Sequence, residues 1–418
     1  MLNGTGFMEG YICDEDATIV TRLLKAGAII VGKANCEYMC FSGGSHTNKS
    51  GYVQNPHAPG YMSGGSSSGS AVLLGDPAAQ VDMAIACDQG GSIRIPASWC
   101  GCYGMKPTHG LVPYTGIMSL ESTVDHVGPC TKNVIDNCKL LQVIQGYDGF
   151  DPRSRPYPKD YTLEKTNYLE AIKLGIKGLK IGLVREGFEL PNAETDVNEL
   201  VRTTAKRLIE YGAAVVEEIS IPEHKLGPVL LTGVVFEGGL MSLLHNSGPS
   251  SLNEKFHTSL LDYTKKTMVA ASHEWSPTLK SALLTGQWIH NQYPGHFYAK
   301  ATNLARWLTQ KYDEQLNIYD VLIMPTLPCK ATKLPTEEEA RDPTIVNQKA
   351  SEMTANTCVF NITHHPAMTV PVGFSPNAES VLLPVGLMII GKHYDEATIY
   401  RVAKVIEESN SDSCTTRQ

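Results

Sequence analysis

The stretch that decides the fold runs from residue 88 to residue 116 and reads DQGGSIRIPASWCGCYGMKPTHGLVPYTG. It directly follows residues 81–86, a short apolar run that predicts a buried β-strand. Gly90 and Gly91 precede Ser92, and two successive glycines allow consecutive backbone N–H groups to point at one place. A serine hydroxyl beside such donors suits chemistry in which negative charge develops on a carbonyl oxygen. The stretch therefore predicts a strand followed by an anion-stabilising turn.

A second loop of small residues, SGGSSSGS at positions 63–70, comes shortly before and leads into apolar residues 71–74. Small residues followed by a helical run suit a tight turn that presents hydroxyls at the start of a helix. Taken alone, the loop has other interpretations. It is equally typical of a flexible turn or linker, and it could cradle phosphate, although it lacks the GxxxxGK[ST] pattern.

The same loop also matches the GxSxG pattern of a nucleophile elbow, which would make Ser67 the nucleophile. That motif needs a strand immediately before it. Residues 55–60 read NPHAPG, and two prolines are incompatible with a central strand. We therefore treat the match as coincidental and look to Ser66 and Ser92 for the chemistry.

The rest of the chain predicts an α/β fold. A helix with Ile19 on its inner face should end near Gly27, and apolar runs alternate with further helical patterns. Such alternation indicates helices packed around a central sheet. Residues 225–317 instead read as a mostly helical insertion or cap within a single domain spanning residues 1–418. The predicted elements are strands at 28–31, 179–184, 213–219 and 320–324, and a helix at 195–211.

Composition excludes several classes of partner. The chain has 418 residues and a formal net charge of −8, with no basic run, so nothing favours nucleic acid or an anionic membrane. The most apolar stretch, residues 229–244, contains Gly233, Glu237 and two further glycines, and we expect it to be too interrupted to span a bilayer. The 11 cysteines show no CxxC pair, and there is no signal peptide, so we expect a cytoplasmic protein with reduced thiols.

The two loops in this order, together with IRIPA at 93–97 and GMKPT at 104–108, closely resemble the amidase signature family. The string at 88–116 is similar to bacterial amidases of the nitrile pathway, which hydrolyse simple aliphatic and aromatic amides. The likeness is dense from residue 14 to residue 155. It returns over residues 320–328, 356–373 and 384–403.

The resemblance implies an α/β/α sandwich with a central mixed sheet and a Ser–Ser–Lys triad. Ser92 matches the nucleophile that forms the acyl intermediate, and Ser66 matches the serine that relays its proton, with a cis bond expected at Gly65–Ser66. Asp88 and Arg94 flank the turn with opposite charges, which we interpret as a structural ion pair. The remaining matched positions are the oxyanion amides of Gln89, Gly90, Gly91 and Ser92, and the acyl-pocket residues Cys40 and Ser42.

The third triad member departs from the family pattern. Before Ser66 the chain offers only Lys25, Lys33 and Lys49, and none lies in an apolar strand followed by aspartate. Family spacing places the lysine upstream of Met1, so we expect the chain to lack an N-terminal segment of the family domain. A serine needs a general base, so slow amide hydrolysis by this chain is expected.

His364 and His365 are the remaining pair with the chemistry of metal ligands. Adjacent residues of a strand point in opposite directions, and no aspartate or cysteine stands close by in the sequence. We therefore expect structural histidines, no metal and no cofactor.

The leading functional hypothesis is an amidase that converts a small or medium carboxamide into a carboxylic acid and ammonia through an acyl-Ser92 intermediate. Two alternatives stay open: an ammonia-transferring amidotransferase subunit, and a catalytically silent binding or scaffold protein. The expected partner is a small-molecule amide, with no nucleic acid and no membrane, and a homodimer is possible.

Overall fold

The computed structural model describes residues 2–154, 167–245 and 255–415, and their centre is a sheet of 8 strands. The ten strands of these residues are β1 (Gln54–Asn55), β2 (Ala58–Met62), β3 (Met83–Asp88), β4 (Tyr103–Lys106), β5 (His126–Thr131), β6 (Lys180–Val184), β7 (Val215–Ile219), β8 (Val321–Pro325), β9 (Ala367–Pro376) and β10 (Leu382–Gly391).

Helices accompany the strands along most of the described chain. They are α1 (Thr18–Lys25), α2 (Ser68–Gly75), α3 (Arg94–Cys100), α4 (Val134–Ile144), α5 (Tyr168–Ala171), α6 (Thr195–Arg207), α7 (Gly227–Leu243), α8 (Thr258–Ala270), α9 (Pro277–Gln292), α10 (His296–Leu316), α11 (Pro343–Ser351), α12 (Val359–Ile362) and α13 (Glu396–Thr415).

The central sheet is mixed, as the sequence predicts. Its order is β3-β5-β4-β9-β10-β8-β6-β7, and the first six strands pair antiparallel while β6 runs parallel to both of its neighbours. β1 and β2 form a separate two-stranded sheet. The end of β3 at Asp88 and the end of β4 at Lys106 lie at the same edge, because both strands are antiparallel to β5.

Helices cover both faces of the sheet. Along β10, a Cβ on Gly386 would point at Ser98 of α3, whereas one on Gly391 would point at Ile399 of α13. The two glycines are separated by an odd number of residues in a strand, so they face opposite sides. The architecture is therefore an α/β/α sandwich, with α3 and α13 on opposite faces.

The predicted strands at 81–86, 179–184, 213–219 and 320–324 are confirmed, with ends shifted by a few residues. The predicted helix at 195–211 is also confirmed as α6.

The predicted buried strand at residues 28–31 is wrong. Ile29 and Val31 are 88% and 73% exposed, and the segment has no regular structure. β3 is the end strand of the central sheet and pairs with β5 only, so no described strand lies beside this apolar run. An apolar run becomes a strand only where a neighbour satisfies its backbone groups, and periodicity does not supply that neighbour.

The glycines of the apolar stretch at 229–244 do not interrupt it, contrary to our expectation. α7 is continuous, and with the short 3₁₀ helix before it the segment Pro222–Leu243 is long and apolar enough to cross a membrane, but half of its most apolar window is buried inside the fold. The glycines allow close packing: a Cβ on Gly233 would lie 2.9 Å from Ala301 of α10, and one on Gly238 would lie 2.5 Å from Glu121. This burial is typical of a core helix.

Candidate active site

The turn after β3 is organised by the buried carboxylate of Asp88. Its Oδ1 accepts the N–H of Gly91 at 2.7 Å, and its Oδ2 accepts the N–H of Ile93 at 3.1 Å. Arg94, the first residue of α3, donates to both oxygens at 3.0 Å. Asp88 and Arg94 are fully buried, so the interpretation of a structural ion pair is confirmed. Burial alone would raise the pKa of Asp88, but Arg94 outweighs it and holds this pKa below its usual range.

Two distant residues fix the turn from the side. Asn361 donates to the backbone oxygen of Asp88 at 2.9 Å and to its Oδ1 at 2.8 Å, and its own oxygen accepts from Arg94 at 2.8 Å. Thr357, which lies just before α12, donates its hydroxyl to the backbone oxygen of Gly90 at 2.7 Å. The orientation of the peptide that follows Gly90 is therefore set by a side chain far along the sequence.

Gly91 is required at its position on two grounds. Its φ is +138°, which L side chains rarely adopt, and a Cβ would lie 2.2 Å from Thr357 Oγ1. Its amide is committed to Asp88. The amides of Gln89, Gly90 and Ser92 donate no hydrogen bond within the described ranges, so these three of the four predicted oxyanion donors are free to meet a ligand.

Ser66 and Ser92 lie in adjoining backbone segments. The N–H of Ser67 donates to the backbone oxygen of Ser92 at 3.3 Å. The predicted cis bond is present at Gly65–Ser66. Ser66 is fully buried and its Oγ has no hydrogen-bond partner among the residues described, so the direct Ser66–Ser92 hydrogen bond that a relay needs is not formed. The structure brings the two serine segments together without joining their hydroxyls.

The hydroxyl of Ser67 has a structural use. It donates to the backbone oxygen of Cys87 at 3.1 Å and lies 3.2 Å from the Cys87 nitrogen, which donates to it. The strand that precedes it, β2, belongs to the small sheet and contains Pro59, so the geometry of a nucleophile elbow on a central strand is not built here.

Glu37 is a buried acid beside Ser66 that sequence reasoning missed. Its N–H donates to the Ser66 carbonyl at 2.9 Å, and its Oε2 accepts from the Thr47 hydroxyl at 2.7 Å and from the N–H groups of His46 and Thr47. Its Oε1 has no partner in the described chain. Burial raises the pKa of Glu37 to about 7, against those hydrogen bonds. A lone glutamate in a loop carries no sequence signal for this position.

The side chain of Gln89 links the turn to a cavity. Its Nε2 donates to the Tyr114 hydroxyl at 2.8 Å and to Asp125 Oδ1 at 3.2 Å. Arg153 lies 3.3 Å from the same aspartate and completes a buried polar group. Tyr114 also forms part of the wall of a cavity of about 160 Å³, whose apolar wall includes Ile117, Met118, Phe256, Leu260 and Leu261.

Cys40 and Ser42, the residues expected at the acyl pocket, lie in the segment that follows Glu37. The Sγ of Cys40 is 3.4 Å from Asn3 Oδ1, and the Ser42 hydroxyl accepts the N–H of Gly44 at 3.0 Å. Neither residue lines the cavity beside Tyr114.

None of the three lysines that precede Ser66 reaches it. Lys25, Lys33 and Lys49 are exposed, and Lys49 pairs with Glu274 at 3.2 Å. The side chain of Ser66 therefore has no lysine partner within the residues described.

The matched family and relatives agree with this site. The family model described as "Amidase" matches residues 2–400. An enantioselective amidase from Rhodococcus rhodochrous is 40% identical over 408 residues, which cover 96% of this chain and 75% of that protein. A glutamyl-tRNA(Gln) amidotransferase subunit from Exiguobacterium sibiricum is 35% identical, with 97% and 79% covered.

Solved structures share the fold. The corresponding glutamyl-tRNA(Gln) amidotransferase subunit from Thermotoga maritima superposes with a TM-score of 0.75 at 30% identity, covering 97% of this chain and 79% of that one. The peptide amidase of Stenotrophomonas maltophilia gives 0.74 at 25% identity, with 98% and 79% covered. The match to the family model spans nearly the whole chain and includes both serine loops. The chain therefore belongs to the amidase family and is an amide-hydrolysing enzyme.

Proposed function

We propose that the chain hydrolyses a small or medium carboxamide through an acyl intermediate on Ser92. The observation that supports this most is the turn itself. A buried network centred on Asp88 holds it, and the amides of Gln89, Gly90 and Ser92 are left without partners, within the described ranges, beside the Ser92 hydroxyl. Buried N–H groups without partners are rare, and donors placed in advance around a reacting carbonyl stabilise the oxyanion.

In this mechanism Ser92 Oγ forms a bond to the carbonyl carbon while the carbonyl's π electrons move onto its oxygen. The Ser92 proton passes to Ser66, whose own proton passes to a base. Collapse of the oxyanion expels ammonia, which takes up a proton, and water then releases the acid. The relay requires the Ser66 hydroxyl to rotate towards Ser92, a motion that its unbonded Oγ leaves open.

The test is covalent labelling of the full chain with a fluorophosphonate, followed by mapping of the adduct. We expect the adduct on Ser92 and none in Ser92→Ala. Ser92→Ala should also lower kcat by about 10³-fold or more for ammonia release from benzamide or propionamide, as deletion of a nucleophile does.

Ser67→Ala is the matched control, since Ser67 is also a buried hydroxyl in a serine loop. It should lose some stability, because its hydroxyl bonds the Cys87 backbone, but it should still be labelled at Ser92. An adduct on Ser67 in the unaltered chain would overturn the assignment.

We also propose that the cavity beside Tyr114 receives the substituent of the substrate. Its wall is mostly apolar, and Tyr114 connects it to Gln89 of the oxyanion turn. Leu260→Trp would reduce the free space, so it should raise KM for benzamide more than for the smaller propionamide. An equal change for both substrates would contradict this placement.

A second candidate is the ammonia-transferring component of an amidotransferase, because the amidotransferase name recurs among relatives such as the Exiguobacterium sibiricum protein. The two functions separate on one substrate. A simple amidase releases ammonia from benzamide alone, whereas release only from glutamine, and only in the presence of a partner protein, would favour the transferase.

The silent binding protein remains the third candidate, since no described lysine contacts Ser66. It predicts that benzamide binds but that Ser92 is neither labelled nor able to release ammonia. We further propose a single domain in which residues 225–317 form a helical insertion, a cytoplasmic location and possible homodimers, the last to be tested by sedimentation.

A further inference from the structure

Three side chains with metal-ligand chemistry meet at one edge of the central sheet. His365 lies just before β9 and His393 just after β10, and these strands pair with Ile390 opposite Ala367, so the two histidines come from the same end of the pair. Asp313 reaches them from α10. Sequence reasoning found no aspartate beside His365 because Asp313 is 52 residues away.

The spacing of the three ligand atoms fits a small cation. Asp313 Oδ1 is 3.1 Å from His365 Nε2 and 3.8 Å from His393 Nδ1, and all three atoms lie within 4.8 Å of one another. Ligands about 2.0–2.1 Å from a tetrahedral Zn²⁺ ion are separated by roughly 3.3–3.4 Å. The cluster therefore needs only small adjustments to surround such an ion.

The hydrogen bonds of Thr363 orient both rings for this purpose. The backbone oxygen of Thr363 lies 3.0 Å from His393 Nε2, and since a carbonyl only accepts, Nε2 carries the proton and Nδ1 of the neutral ring presents a lone pair to Asp313. The Thr363 hydroxyl lies 3.0 Å from His365 Nδ1 and can accept its proton, which frees His365 Nε2 in the same way. Second-shell bonds of this kind are typical of metal-bound histidines.

The two lone pairs and the carboxylate then face one another without a proton between His393 and Asp313. Such an arrangement is repulsive unless a cation fills it. Imidazole nitrogens with one carboxylate suit Zn²⁺ among the common divalent ions, and a half-exposed Asp313 leaves room for water as a fourth ligand.

We infer that Asp313, His365 and His393 form a binding site for a divalent transition-metal ion, with Zn²⁺ as the preferred ion. The site joins α10 to the ends of β9 and β10. It is separated from β3, which leads to Ser92, by the strands β5 and β4, so it is distinct from the amide-hydrolysing residues. Its role is to fix the helical segment to the sheet.

The test uses the full chain, stripped with EDTA and freed of chelator, then titrated with Zn²⁺ alone by calorimetry. Thermal unfolding is followed with and without the metal. We expect one equivalent to bind to Asp313, His365 and His393, and the unfolding temperature to rise. Asp313→Ala and His393→Ala should weaken this equivalent by about 100-fold or more, and Thr363→Val by about 10–100-fold, the usual range for an outer-shell partner.

His273→Ala is the matched control, because His273 has a side chain that is 77% exposed and lies outside the cluster. It should bind Zn²⁺ as the unaltered chain does. Co²⁺ provides a second readout, since four-coordinate Co²⁺ absorbs visible light, and the band should vanish in His393→Ala. Equal Zn²⁺ affinity in the unaltered chain, Asp313→Ala and His393→Ala would overturn the inference, as would an equal loss in His273→Ala.

Discussion

Replacing Arg94 by Met tests the argument that the buried ion pair with Asp88 holds the candidate active site. The change keeps an unbranched side chain of similar length in a fully buried position but leaves the Asp88 carboxylate without its cation. Removing one partner of a buried pair costs about 3–5 kcal/mol, because the remaining charge stays buried without compensation. Asn361 also loses the donor that its side-chain oxygen accepts.

The expected change in melting temperature follows from the size of the protein. Unfolding entropy of roughly 2.1 cal/mol/K per residue over 418 residues gives roughly 0.9 kcal/mol/K, so Arg94→Met should lower Tm by about 3–6 °C. The double variant Asp88→Asn/Arg94→Met carries neither charge and should be less destabilised than Arg94→Met alone. Calorimetry, with urea unfolding as a second measure, reads out both.

The pH dependence has a definite sign. Arg94 holds the pKa of Asp88 below its usual range, so in the unaltered chain this stabilisation is present above the unfolded pKa and is lost as the pH falls through the lower, folded pKa. In Arg94→Met burial is unopposed and raises the pKa of Asp88. The gap in stability between the two proteins should therefore narrow as the pH falls and Asp88 becomes neutral.

Arg185→Met is the control, since Arg185 pairs with Glu218 at 2.9 Å on the surface, with both side chains more than a third exposed. Exposed pairs contribute about 0–1 kcal/mol, so its Tm should change by roughly 1 °C or less. If Arg94→Met were no more destabilising than Arg185→Met, or if the gap widened in acid, the reasoning about the pair would be refuted.

Two further predictions concern Gly91 and Glu37. Gly91→Ala places a Cβ 2.2 Å from Thr357 Oγ1 and should abolish turnover, whereas Gly60→Ala, which shares a positive φ but meets no atom within 4 Å, should cost roughly 1–2 kcal/mol and leave turnover unchanged. Glu37 has a pKa raised to about 7 by burial, so the folded chain should lose on the order of 3 kcal/mol of stability as pH rises from about 4.5 to 7. Glu37→Gln should remove that slope in urea unfolding at several pH values, and an unchanged slope would show that Glu37 does not titrate in this range.

Local pattern was enough to predict most strands of the sheet and the turn that ends at Ser92, because these depend on short apolar runs and paired glycines. It was not enough for residues 28–31, where an apolar run lies exposed for want of a neighbouring strand. Nor could it predict that Asn361 and Thr357 hold the turn, because they are 273 and 267 residues from their partners Asp88 and Gly90.

The sequence by itself determined the mixed α/β fold, the two serine loops, the cis bond before Ser66 and the family, since each follows from contiguous residues. Only the tertiary structure decided the protonation and orientation of the site: that Gly91's amide is committed to Asp88, that the Ser66 hydroxyl is unbonded within the described residues, and that Glu37 lies buried with a pKa of about 7. Burial and long-range hydrogen bonds set these properties, and both arise from residues that meet only once the chain has folded.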